Sequence, residues 1–205
     1  DIEEPQPPYT YDTEVLMEGE KVWPPIKALS YVSKLAGGRL LCPPGNCTCY
    51  STASFMLAGL VLASKLNVEY DDLDLGKQLG IKGLQFPGKD DKLSELLSVP
   101  GVVNSPYWPK ATIWHQNPSI LGGTGGNLVG TTSAVADFFR KLFMGKLISE
   151  SGLKEMVSDR LITRGRGAGW LSYGAGLMPV SASYVGADSF DPAVYWGAPG
   201  QTYGF

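Results

Sequence analysis

Tyr50 stands where a proline-rich loop must give way to a helix, and a phenol in that place can move a proton. Pro43-Pro44-Gly45 forbids helix and fixes a turn. The run from Ser54 to Leu66 then spaces Phe55, Met56, Leu57, Leu60, Val61 and Leu62 along one side of a helix, with Lys65 at its far end. Ser51 or Thr52 is its natural cap. Backbone N–H groups and the positive end of the helix dipole beside the phenol favour its ionised form, which suits a base. The alternative is a tyrosine that only packs the loop onto the helix.

The same loop carries Cys42, Cys47 and Cys49, and Asn46-Cys47-Thr48 is an N-glycosylation acceptor pattern. Together they predict an extracellular or secretory setting. A disulfide from Cys42 to Cys47 or to Cys49 would close a small loop next to Tyr50, leaving one cysteine to pair elsewhere. Zinc competes poorly, because a tetrahedral site wants four ligands and His115, the only histidine, is far away in sequence. No metal and no cofactor is expected.

Other chemistry-bearing residues lead less far. His115 is the only histidine base on offer, but no Gly-x-Ser-x-Gly elbow exists to supply a triad serine. Gly122 to Gly126 has the look of a phosphate cradle without the Gly-Lys-Ser/Thr ending that a phosphate loop needs. Ser151-Gly152-Leu153-Lys154 is the single Ser-x-x-Lys, and Ser151 reads as a helix cap.

The elements that must position these residues are ordinary ones. With 205 residues, 43% hydrophobic and 18% charged, the chain is long enough for one sizeable core or two small ones. A net charge of −3 with no block of Lys or Arg argues against nucleic acid, and no apolar run is long enough for a membrane span. The high counts of Gly (26) and Pro (15) predict ordered turns and long loops. A chain opening Asp1-Ile2-Glu3-Glu4-Pro5 is expected to be mature or cut from something longer.

In order, residues 1–25 read as an extended lead-in, Ile26 to Leu35 as a short helix, and Asp71 to Leu79 as another stopped by Gly80. Residues 81–92 are expected as loop and Lys92 to Leu97 as a helical piece. Val99 to Gly123, with Trp108, Trp114 and His115, reads as a long loop forming a wall or lid. Thr131 or Thr132 should cap a helix through Leu142, ended by Gly145, and Ser149 or Ser151 another with Leu153 and Met156. Trp170 to Tyr184 and Ala193 to Trp196 suit strands. The class is α+β; two strands make a poor sheet, so further strands are expected outside this sequence.

Three of these stretches, in this order, resemble the β-lactamase-like serine hydrolases, the superfamily of class C β-lactamases, D-alanyl-D-alanine carboxypeptidases and related esterases. Leu41 to Gly45, with Tyr50-Ser51-Thr52 and Leu57-Ala58-Gly59-Leu60-Val61, is similar to that family's second-motif segment. Gly125 to Thr132, continuing through Asp137-Phe138-Phe139 to Gly145-Lys146-Leu147-Ile148-Ser149, resembles the segment after it. Tyr173-Gly174-Ala175-Gly176-Leu177 with Trp196-Gly197-Ala198-Pro199-Gly200 resembles the strand pair that ends in the third motif. The resemblance covers most of residues 26–205. It implies a mainly helical domain over 26–168 and strands of an incomplete antiparallel sheet over 169–205.

The family attacks an ester or amide carbonyl with the serine of a Ser-x-x-Lys, and the resemblance puts Tyr50 in its proton-transfer role. Departures matter as much. Thr52 stands where lactamases have Asn, and Trp196-Gly197-Ala198 or Ala198-Pro199-Gly200 replaces the usual third motif. The first register is similar to the Trp-Gly-Gly of the family's carboxylesterases and transesterases, so Thr52, Trp196, Gly197 and Ala198 are the expected substrate contacts. The resemblance places the nucleophile before Asp1 and the closing strands after Phe205, so a further chain or segment is expected to complete the fold. Two functions follow: a secreted hydrolase of small-molecule or peptide esters or amides, or an inactive relative kept for binding or structure.

Overall fold

Ser51 ends the loop and starts the helix: its side chain accepts the Ser54 N–H at 3.4 Å, and helix begins at the next residue. The computed structural model describes residue 14 and residues 18–35, 39–40, 42–87, 102–105, 108–112, 116–158, 160–165, 167–180 and 195–198. They contain five helices, α1 (Pro25–Leu35), α2 (Thr52–Leu66), α3 (Leu75–Leu79), α4 (Thr132–Phe143) and α5 (Glu150–Met156). Eight short strands pair two by two, all antiparallel: β1 (Leu84–Gln85) with β4 (Val129–Gly130), β2 (Val102–Ser105) with β3 (Trp108–Thr112), β5 (Arg160–Leu161) with β6 (Ser172–Tyr173), and β7 (Met178–Val180) with β8 (Tyr195–Gly197). The architecture is α+β. The predicted helix at Lys92 to Leu97, residues 1–13, Trp114 and His115 lie outside the described residues.

Two compact units share these elements, and the chain passes between them after Leu41, after Tyr50 and again after Ala136. In the unit built from residues 2–41 and 51–136, α2 is the organising helix. Met56, Gly59 and Ala63 are its buried residues, and two 3₁₀ turns, Pro118–Leu121 and Gly123–Gly125, lie beside it. Gly59 is small because Thr124 sits where a Cβ would go. The Thr124 hydroxyl donates to the Phe55 carbonyl at 2.7 Å, and its N–H donates to the Tyr70 hydroxyl at 2.8 Å. A side chain at Gly123 would meet that same Tyr70 hydroxyl. The glycine run is therefore a close-packed platform around Tyr70 and α2, which settles what its composition left open.

Four expectations in this unit are corrected. Residues within Val99 to Gly123 are not all loop: β2 and β3 pair as a hairpin with Val102 opposite Thr112. Strands are not confined to the end of the chain either, because β1 and β4 close a ladder with Leu84 opposite Gly130. Asp71 to Leu79 is not one helix. Leu73 is buried in an extended conformation, so a 3₁₀ turn at Tyr70–Asp72 is separated from α3, which Asp74 caps; burial of one leucine outweighs helix propensity here. Residues 18–24, expected as lead-in, are tied down: Trp23 is buried and its N–H donates to Ser119 Oγ at 2.8 Å.

The other unit, residues 42–50 and 137–200, holds most of α4 with α5 and strands β5 to β8. Thr131 caps α4 by accepting the Ala134 N–H at 3.2 Å, and Gly145 ends it at φ +68°. Ser149, not Ser151, caps α5, accepting from the Gly152 N–H at 3.1 Å. Of the stretch expected as one strand over Trp170 to Tyr184, the described part, to Val180, holds two, β6 and β7, and residues 181–184 lie outside the described residues. The turn between them is closed by the Gly174 N–H donating to the Leu177 carbonyl at 2.7 Å. Ile162 is fully buried, its N–H donating to the Leu171 carbonyl and its own carbonyl accepting from Gly169.

Candidate active site

Tyr50 is held by the backbone before it and by a ring beside it. Cys42 and Cys47 form a disulfide with Cα atoms 6.3 Å apart, which chooses between the two pairings the sequence allowed. Pro43 and Asn46 close a turn inside that loop, the Asn46 N–H donating to the Pro43 carbonyl at 3.1 Å. Beyond the disulfide, the Thr48 N–H donates to Thr163 Oγ1 at 3.0 Å, while Thr163 N–H donates back to the Thr48 carbonyl at 2.9 Å. Cys49 continues this as a parallel bridge to Arg164. The loop thus enters Tyr50 as an extended strand fixed to residues 163 and 164.

The half-buried Tyr50 ring meets Tyr173 edge to face, with centroids 5.7 Å apart and planes at 60°. Tyr173 comes from β6, opposite Arg160 of β5. Burial, and after it the charge of a Tyr50 phenolate, pushes the Tyr173 phenol up from its ordinary value. Cys49 is a free thiol, half-buried, 3.6 Å from Cys47 Sγ. Asn46 is exposed at the loop tip.

The remaining sequence-derived site residues fall in their own surroundings. Thr52 is the first residue of α2, and its methyl group lies against Gly125 and Gly122. Trp196 and Gly197 are half-buried on β8, opposite Pro179 and Met178, and Ala198 is exposed just beyond the strand. A Cβ on Gly197 would point into open space, so the face beside it is free of the chain's described atoms. Ser151 Oγ lies 3.0 Å from Ser149 Oγ, and the Lys154 ammonium pairs with Glu150 at 2.8 Å. That Ser-x-x-Lys is a capped surface helix turn.

Sequence reasoning passed over two residues. Tyr173 was marked only for the strand that carries it, although a tyrosine opening a Gly-x-Gly strand is a visible signal. Thr163 carries no signal at all, since its partner is far away in the chain. Among the described residues, no group of His, Cys, Asp and Glu could hold a metal ion, and no helix is long and apolar enough to cross a membrane.

The fold of the chain is that of the β-lactamase-like serine hydrolases, as the structural comparisons show. The chain is similar to a D-stereospecific amidohydrolase from Streptomyces sp., with 25% identity and a TM-score of 0.70 over 93% of this chain and 53% of that one. It is also similar to the D-amino acid amidase of Ochrobactrum anthropi SV3 complexed with D-phenylalanine, at 18% identity and a TM-score of 0.63, covering 88% and 51%. A penicillin-binding protein from Bacillus halodurans matches at 16% identity with a TM-score of 0.57, covering 90% and 53%. The chain spans about half the length of these structures. No protein-family description and no curated protein sequence matches it.

Proposed function

We propose that the complete protein is a secreted serine hydrolase working through an acyl-enzyme, with Tyr50 as the residue that moves the proton. The observation that carries this reading is the doubly fixed phenol of Tyr50, clasped through Thr48 and Cys49 and packed on Tyr173. A serine hydroxyl must lose its proton as it attacks a carbonyl, and a phenolate at a helix N-terminus is placed to accept it and hand it to the leaving group. The serine, in a Ser-x-x-Lys, must come from outside residues 1–205, in the same chain or in another that completes the sheet. Thr52, Trp196, Gly197 and Ala198 then serve as substrate contacts. The exposed Asn46 beside the Cys42–Cys47 disulfide supports a glycosylated, secretory protein.

Two substrate classes have support. The Trp196-Gly197-Ala198 strand end and the replacement of Asn by Thr52 favour esters, as in the esterase-like branch. Likeness to a D-amino acid amidase complexed with D-phenylalanine favours amides of amino acids.

The deciding experiment takes the complete protein, labels it with a fluorophosphonate, and compares turnover of a p-nitrophenyl ester with that of D-phenylalanine amide. Labelling lost on replacing the Ser-x-x-Lys serine, and turnover falling at least ~100-fold in Tyr50→Phe, is the expected result. Unchanged turnover in Tyr50→Phe would end the role of Tyr50. Absence of labelling and turnover leaves the other reading, an inactive relative retained for binding or structure.

A further inference from the structure

We propose that Tyr173 is a positioning residue for Tyr50, its ring fixing the direction in which the Tyr50 hydroxyl points. The inference rests on the proton-transfer reading of Tyr50 and adds a residue to it. The backbone is fixed on both sides of Tyr50, at Cys49 through the bridge to Arg164 and at Ser51 as the cap of α2. The side chain still has its own rotation to settle, and among the described residues the Tyr173 ring meets it edge to face at 5.7 Å. Such pairs hold their geometry because the positive edge of one ring seeks the negative face of the other. A phenol that swings away by an ångström loses its proton-transfer geometry even though it is still present.

Both supports come from the same strand system. Thr163 and Arg164, which hold the loop backbone, follow β5 directly, and Tyr173 pairs with Arg160 at the head of β5. The Ile162 N–H donating to the Leu171 carbonyl at 2.8 Å carries that pairing on towards Thr163. Backbone clasp and ring are therefore carried by one paired stretch, residues 160–173. Tyr173 also suits a bystander's part chemically. Burial, and after it the charge of a Tyr50 phenolate, push its own phenol up from the ordinary value.

The test uses the complete protein and four variants: Tyr173→Leu, Tyr173→Phe, Tyr50→Phe and the double variant Tyr50→Phe/Tyr173→Leu. Tyr173→Leu should lower kcat by about 10- to 100-fold with KM within about threefold of the parent. Tyr173→Phe, which keeps the ring, should restore kcat to within about threefold. The double variant should be no slower than Tyr50→Phe, because Tyr173 acts only through Tyr50. If Tyr173→Leu does not fold, Tyr173→Met replaces it at similar volume.

The positioning role is overturned if Tyr173→Leu keeps full kcat, if Tyr173→Phe is as slow as Tyr173→Leu, or if the double variant is slower than Tyr50→Phe by the full single-variant factor. In each of these, a slow Tyr50→Phe leaves the role of Tyr50 standing. Full activity in Tyr50→Phe removes both roles at once.

Discussion

Thr48 and Thr163 exchange hydrogen bonds across a sequence separation of 115, the Thr48 N–H reaching Thr163 Oγ1 at 3.0 Å and the Thr163 N–H reaching the Thr48 carbonyl at 2.9 Å. One side-chain oxygen thus shares with backbone hydrogen bonds the task of holding the strand that leads to Tyr50. Replacing Thr163 by Val keeps the shape and removes that acceptor. Because the site is exposed, water takes over part of the bond, and global stability should fall by about 1 kcal/mol or less. Amide exchange at Thr48 to Tyr50 should quicken by more than exchange in α4. Equal protection in both proteins would show that the side chain does not hold the loop.

Gly59→Ala pits two magnitudes against each other. Alanine gains about 1 kcal/mol of helix propensity over glycine. Its Cβ, however, would run into Thr124, whose hydroxyl and N–H are engaged with Phe55 and Tyr70. Displacing Thr124 gives up these bonds and overpacks α2, effects of about 1–3 kcal/mol together. The variant should therefore be less stable in urea unfolding by up to about 2 kcal/mol net, and a stabilised protein would mean the glycine is there for another reason.

Peptide mapping of the native protein should find Cys42 joined to Cys47 and Cys49 as a thiol. Cys49→Ser should leave the disulfide and the stability nearly unchanged. Cys42→Ser should cost roughly 2 kcal/mol by the loop-entropy relation for so short a loop. A Cys42–Cys49 bond in the native protein would overturn the assignment.

Asp137 gives a pH dependence with a definite sign. Hydrogen bonds from Lys141, then from Arg140, hold its carboxyl below the ordinary value. A carboxylate depressed in the folded state adds stability above its unfolded value, near 3.9 in model peptides as an approximate reference, and loses it as pH falls through the lower folded value. The midpoint of thermal unfolding should therefore drop in strong acid with a contribution that Asp137→Asn removes. Since the ion pairs lie at the surface and are at least partly open to solvent, 1 M salt as a rough screening condition should weaken it too.

Much of the local structure was legible from residue types. The apolar spacing of Ser54 to Leu66 and the serine before it place α2 and its cap, since both depend on neighbours a turn away. Thr131, Gly145, Ser149 and Gly80 mark helix ends for the same reason. The β2–β3 hairpin was not legible: Val102 and Val103 are followed by Asn104, Pro106 and Pro109, a composition that reads as loop until the partner strand is seen. Leu73 interrupts a helix that its neighbours favour, because the buried position it fills is made by residues outside the local window.

For the site, the sequence by itself determined the loop, the cysteines, the helix start and therefore Tyr50, because proline, glycine and cap preferences act over a few residues. Tertiary structure alone decided which cysteine pairs with Cys42, that Thr163 and Arg164 grip the loop, and that Tyr173 is the ring against Tyr50. Those are contacts between segments far apart in the chain. No local preference encodes them; they exist only once strand pairing has brought the two backbones within hydrogen-bond reach.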